Sequence, residues 1–158
     1  MVSRQSLLSL VTEKAPLHAE ALLAPLLELL SLARTTFDGD LDKFLILLVV
    51  AIRAAGHKEF ARAVLLRRTE GGPPVFPSLG VNIQSIADSI GAPKETVRRK
   101  VTDLVAAGWI ERRGNELFLT PGAYETHTPL RQAIQVLAVR HFEVVGELIA
   151  DAGGEPTG

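Results

Sequence analysis

The segment Asn82–Thr120 switches between two kinds of hydrophobic period, and this limits the chain more than anything else in it. Asn82 is a good N-cap, and Ile83, Ile86, Ala87 and Ile90 then form the apolar face of a helix of about two turns. Gly91 stops it. Pro93 suits the first turn of a second helix, where a missing N–H is no loss, and Val97, Val101, Leu104 and Val105 supply that helix's buried stripe. Ala87 and Gly91 stand four residues apart. Two helices that cross steeply need a small side chain at the first place and a residue free to take positive φ at the second. Gly108 ends the second helix, after which Trp109–Arg112 and Glu116–Thr120 read as two short strands about an Arg113-Gly114-Asn115 turn. The pattern predicts a mainly α fold that carries a helix-turn-helix with a two-stranded wing over residues 109–120.

The face that the second helix keeps out of its core is the informative one. Lys94, Glu95, Arg98, Arg99 and Thr102 project outward at helical spacing, with Thr96 beside them near the N-terminal end. In a helix-turn-helix that reads DNA, the second helix, residues 94–107 here, lies in the major groove and its N-terminal end meets base edges. Arginine can grip guanine bidentately, and glutamate can accept from cytosine N4. Arg112, Arg113 and the Asn115 amide stand at the tip of the wing, with chemistry suited to phosphate or minor-groove contact. Gln84 on the first helix completes the candidate DNA-contacting set. From Ala92 to Arg113 there are six basic residues against three acidic, a local excess of +3 on a chain of net charge −1, so the remainder carries −4. A basic face on a near-neutral chain is the electrostatic footprint of a module that reads nucleic acid.

Composition narrows the alternatives. With 158 residues, 47% of them apolar, the chain can bury a core as one domain or as a compact module with appended helices. It has no cysteine, which removes disulfides, thiolate metal sites and cysteine nucleophiles together and fits a reducing cytoplasm. The opening MVSRQSLLSLVTEK lacks a long apolar stretch and a small-residue cleavage site, so no export signal is expected. Phe44–Ile52, the most apolar run, has nine residues where a spanning helix needs roughly 20, so it reads as a buried helix and no membrane partner is expected. His18, His57 and His127 are scattered without ligand spacing. No Gly-x-Ser-x-Gly elbow, phosphate-cradling glycine loop or apolar carboxylate pair occurs. The expectation is no catalytic residue, no metal and no cofactor.

The rest of the chain reads as helices around this segment. Ser3 starts a first helix ending near Lys14, and Pro16 opens a second, with Pro25 expected to kink it. Leucines at 22, 23, 26, 27, 29 and 30 cover more than one stripe of that helix, as for a helix surrounded by protein. Asp38-Gly39-Asp40 is a turn and cap, Leu41–Ala55 a central helix apolar nearly all round, and Lys58–Arg68 a shorter basic helix. In the last of these, Phe60, Ala61, Val64 and Leu65 should face inward, with Lys58, Arg62, Arg67 and Arg68 outward. Gly71, Gly72, Pro73, Pro74 and Pro77 mark a connector, Pro121 and Gly122 end the second strand, and Thr128-Pro129 caps a last helix running to about Asp151. This divides the chain into an N-terminal helical region (1–69), a connector (70–81), the winged segment (82–122) and a C-terminal helix (128–151), with a frayed tail from Gly153. Leu130, Ile134, Leu137, His141, Val144 and Leu148 recur in that helix at spacings of four and three, a seam that could pair two subunits or pack on the chain's own N-terminal helices.

Gly91-x-x-Lys94-Glu95-Thr96-Val97-x-Arg99, followed by Leu104, Gly108-Trp109-Ile110 and Leu119-Thr120, resembles the winged helix-turn-helix of the cyclic-AMP receptor protein superfamily over about 40 residues. The resemblance implies base-reading roles for Lys94, Glu95 and Arg99 and a phosphate contact for Thr96. Two features depart from it. Lys100 stands where such helices carry an apolar residue, so either its stem runs along the core or the helix is rotated. The N-terminal 80 residues read as helices in place of the family's β-rich cyclic-nucleotide domain, so no nucleotide ligand carries over. In layout, with helices before the motif and one long helix after it, the chain is similar to the multiple-antibiotic-resistance regulators, whose terminal helices build a dimer. The sequence therefore predicts a homodimeric, cytoplasmic regulator of transcription that binds double-stranded DNA. A winged-helix module for protein contacts and a regulator with an effector among its N-terminal helices stay open beside it.

Overall fold

A computed structural model describes residues 3–70 and 76–153. The Gly71-Gly72-Pro73-Pro74 turn signal and the tail beyond Gly153 lie outside the described residues. The elements are α1 (Arg4–Lys14), a 3-10 turn (Ala15–His18), α2 (Ala19–Thr36), α3 (Leu41–Ala55), α4 (Phe60–Glu70), α5 (Ile83–Ile90), α6 (Lys94–Ala106), β1 (Ile110–Arg113), β2 (Glu116–Leu119), α7 (Pro121–Thr126) and α8 (Thr128–Gly153). The architecture is mainly α, with one two-stranded antiparallel sheet among the described residues. The chain divides into two compact units, residues 1–33 with 129–158, and residues 34–128.

In the first unit, Ser3 caps α1 by accepting a hydrogen bond from the Ser6 N–H at 3.1 Å. Pro25 lies inside α2 and is buried; lacking an N–H, it frees the Ala21 carbonyl of the helix ladder. At the next carbonyl along, Leu22, a side chain of α8 enters: His141 Nε2 donates to it at 2.9 Å. Arg140 joins the same two helices through Glu28 at 2.8 Å. Leu130, Val144 and Leu148 are buried inside one copy of the chain. Of the six residues in the 4-and-3 seam of α8, these three are covered within the chain, whereas Ile134 stays exposed. The expectation for α2 needs correction, because only Pro25, Leu29 and Ala33 of that helix are buried. Leu23, Leu26, Leu27 and Leu30 are exposed, since the chain's own packing covers one face of α2 and leaves the next in water.

In the second unit, α3 is the central element. Asp40 caps it through the Lys43 N–H at 3.3 Å, and Phe44, Ile46, Leu47, Val50 and Ala54 are buried. Its apolar circumference is not wholly covered, for Ile52 stays exposed. The helix expected at Lys58–Arg68 runs from Phe60 to Glu70 and is turned: Ala63 and Val64 are buried, while Ala61 and Leu65 are exposed. The cause is an aromatic cluster. Phe76 meets Phe60 and Tyr124 edge-on at 5.4 and 5.7 Å, and Arg67, expected on the outer face, lies 5.6 Å over the Phe76 ring and pairs with Glu125. A second cluster gathers on Phe37, with Phe44 at 6.0 Å, Trp109 at 5.7 Å and His127 at 5.3 Å. Pro121 does more than end β2. With Thr120 accepting from the Ala123 N–H at 3.0 Å, it opens the short helix α7, because proline's fixed φ suits a first helical position. The last helix starts at Thr128 as expected and continues two residues past Asp151, to Gly153.

Candidate nucleic-acid interface

The segment Val81–Leu119 is built around a small shared core. Asn82 accepts from the Ser85 N–H at 2.8 Å and starts α5; Gly91 ends it with φ at +68°, and the Ala92 N–H returns to the Ala87 carbonyl at 3.2 Å. An added Cβ at Gly91 would meet nothing within 4 Å, so the left-handed backbone, not crowding, asks for glycine there. Pro93 serves as the N-cap of α6 with extended backbone (ψ 139°), one position earlier than its expected place in the first turn. Ile86 and Ala87 from α5, Val97, Val101 and Leu104 from α6, and Ile110 and Leu117 from the hairpin are buried.

The hairpin pairs Ile110 with Leu119 and Arg113 with Glu116, leaving a two-residue turn of Gly114 and Asn115, with Gly114 at φ +59°. Trp109 lies just outside the pairing and packs its ring into the Phe37 cluster. Val81 adds a bridge that the sequence did not announce: its N–H and carbonyl exchange hydrogen bonds with Leu117 at 3.0 and 2.8 Å. The hairpin is thereby held to the residue that precedes α5.

This scaffold brings five of the predicted residues into one place. Gln84, Lys94, Arg98, Arg112 and Asn115, with Asn82 and Ile83, line an open cleft of about 340 Å³ between the start of α5, the start of α6 and the hairpin. Lys94 and Arg98 are one helical turn apart, so both reach the flank of α6 that faces the cleft. Glu95 is ion-paired with Arg98. Glu95, Arg99 and Thr102 form the exposed crest of the helix, where the Thr102 hydroxyl donates to the Arg98 carbonyl at 3.1 Å. The Arg99 side chain has no hydrogen-bond or ion-pair partner among the described residues.

Strand alternation separates the two hairpin arginines. Arg112 lines the cleft, whereas Arg113 lies 4.4 Å over the Phe118 ring and is bonded to Glu111 at 2.9 and 3.1 Å. The Arg113 hydrogen bond holds the Glu111 carboxyl below the usual carboxylate range. Gln84 has a partner on its own helix, donating to Asp88 at 2.8 Å. Thr96 is half-buried and falls on the other flank of α6, at helical spacing from Lys100 and Asp103, away from the cleft.

That other flank anchors the helix. Lys100 Nζ lies 2.7 Å from Asp40 and 3.1 Å from Asp42, and Lys43 lies 3.1 Å from Asp103. The Asp40 hydrogen bond, opposed by burial and aided by Asp42, raises the Lys100 ammonium above its ordinary value. Burial alone would raise Asp40; the Lys100 hydrogen bond, the Lys43 N–H and the two lysine charges outweigh it and leave the carboxyl lowered. The Lys100 side chain is mostly buried, as a stem run along the core would be, and its ammonium reaches an acidic socket at the start of α3. Asp40 and Asp42 were legible as a turn and cap but not as partners, since 60 residues separate Asp40 from Lys100.

The cleft presents three cationic side chains and amide groups able to hold phosphate oxygens, next to a helix crest carrying one arginine without a partner and one carboxylate. No family model matches the chain, and neither a curated protein nor a solved structure shows significant similarity to it.

Proposed function

We propose that the chain is a sequence-specific double-stranded-DNA-binding regulator of transcription, with α6 as recognition helix, the β1–β2 hairpin as wing, and two copies acting on a roughly two-fold site. The convergence of Lys94, Arg98 and Arg112 on one cleft, from two elements separate in sequence, carries this reading. With only the Arg98–Glu95 ion pair to offset them, these three cations leave a net positive charge at the cleft, and a phosphate backbone supplies anions in a row. Beside that cleft, the crest of α6 offers Glu95 and Arg99 at the N-terminal half of an exposed helix whose width, about 10–12 Å, fits a major groove about 12 Å wide. Arg112 from the wing would follow the backbone flanking the groove.

The test is fluorescence anisotropy of the full chain on duplexes selected from a random pool. Binding weakens steeply as salt rises, and Arg112→Ala lowers affinity for all sequences alike, whereas Arg99→Ala relaxes preference at one base pair. Affinity insensitive to salt would count against the proposal.

A further inference from the structure

We propose that two copies of this chain pair antiparallel through the exposed leucine seam of α2, about a two-fold axis beside Leu27. The expectation of two copies rests on the DNA-reading function above; the surface rests on α2 alone. Glu20, Leu23, Leu27, Leu30 and Arg34 recur along α2 at spacings of three, four, three and four, the repeat of a helix that packs along one seam. Leu23 is 63% exposed, Leu27 67%, Leu26 41% and Leu30 39%. Single exposed leucines are ordinary, but on one stripe these leave about two whole leucine side chains in water, which marks a contact surface.

Charge decides the occupant and its direction. Glu20 at one end of the seam and Arg34 at the other are exposed, and neither side chain has an ion-pair partner among the described residues. Parallel pairing would set Glu20 against Glu20 and Arg34 against Arg34. Antiparallel pairing sets Glu20 of each copy opposite Arg34 of the other and brings the leucines together between them, in a contact that closes at two copies. A bilayer is the rival occupant, for the helical run Arg4–Thr36 is long and apolar enough to cross one by length and composition. Glu20 and Glu28 lie within that run, however, and Glu28 is engaged by Arg140 of α8, which places charge where a bilayer core would exclude it. A second copy satisfies the leucines and the terminal charges together.

Sedimentation equilibrium of the full chain tests this. Wild type is expected to be a dimer, and Leu27→Glu a monomer with unchanged helical circular dichroism, because the side chain lies on the surface. Glu20→Arg and Arg34→Glu each raise the dimer dissociation constant about tenfold, the double swap restores it, and a mixture of the two single variants forms the heterodimer. The proposal is overturned if wild type is a monomer, or if Leu27→Glu stays dimeric while Phe142→Glu on α8 dissociates. It is overturned also if wild type, but not Leu27→Glu, floats with phosphatidylcholine–phosphatidylserine vesicles. Anisotropy on DNA separates the two readings. A charge-swap-sensitive dimer that ignores DNA keeps this interface and removes the DNA function, while DNA binding by a dimer indifferent to α2 does the reverse.

Discussion

Lys100 shows how one residue can depart from a resembled family pattern and still belong to the fold. It stands where the helices it resembles carry an apolar side chain, and its ammonium is held between Asp40 and Asp42. Lys100→Met leaves those two carboxylates facing each other, so unfolding in urea should show a loss of about 1–2 kcal/mol, discounted because Asp42 is half-exposed. The pH dependence follows from the two shifts. Asp40 is lowered below 3.8 in the folded chain, so its contribution is complete above that value and is lost as pH falls through the folded value. Lys100 is raised above 10.5, so its contribution is complete below 10.5 and is lost as pH rises through the folded value. Both limbs should flatten in Lys100→Met.

His127 is the opposite case, a buried polar side chain with too little company. Its ring stacks on Phe37, meets Trp109 edge-on at 4.3 Å, and neither ring nitrogen has a partner among the described residues. Burial lowers its pKa from 6.5, so the unfolded chain takes up the proton first, and stability present above about pH 6.5 is lost as pH falls below it. His127→Phe should abolish that part of the acid loss and, by removing two unsatisfied nitrogens, add on the order of 1 kcal/mol at neutral pH. Denaturation midpoints measured from pH 5 to 8 check both.

At the scale of elements, α5, α6 and the hairpin were legible because each is specified locally. Asn82 caps, Gly91 takes positive φ, Val97, Val101 and Leu104 make one stripe, and Gly114 turns the hairpin. Gly91→Ala should cost about 1–2 kcal/mol through its left-handed backbone alone, and Ala87→Leu about 1–3 kcal/mol by overfilling the place beside it. What sequence did not reveal depends on distant partners. The turn of α4 depends on Phe76 and Tyr124, the strand-like role of Val81 on Leu117, and the helix α7 on a threonine cap directly after β2. The candidate site divided in the same way. Helical spacing put Glu95, Arg99 and Thr102 on one crest, whereas the split between Arg112 in the cleft and Arg113 on Phe118 required the hairpin register.

For the whole molecule, charge is distributed and not global. A chain of net charge −1 gains affinity for a polyanion only through the cations it gathers locally. Alanine at Arg98 or Arg112 should therefore each reduce the slope of log affinity against log salt by about 1 when the residue meets a phosphate, with little change in sequence preference. The leucines of α2 bear on the same question from the other end, since the proposed pair of recognition helices would need a surface that joins two copies. Sequence-specific DNA binding is tested by anisotropy on duplexes selected from a random pool against scrambled duplexes of equal length. Selected sites should show two half-sites about 10 base pairs apart, bind at least about 10³-fold more tightly than scrambled ones, and lose about 1–3 kcal/mol with Arg99→Ala. Equal binding to selected and scrambled duplexes, unchanged by Arg99→Ala, would contradict it.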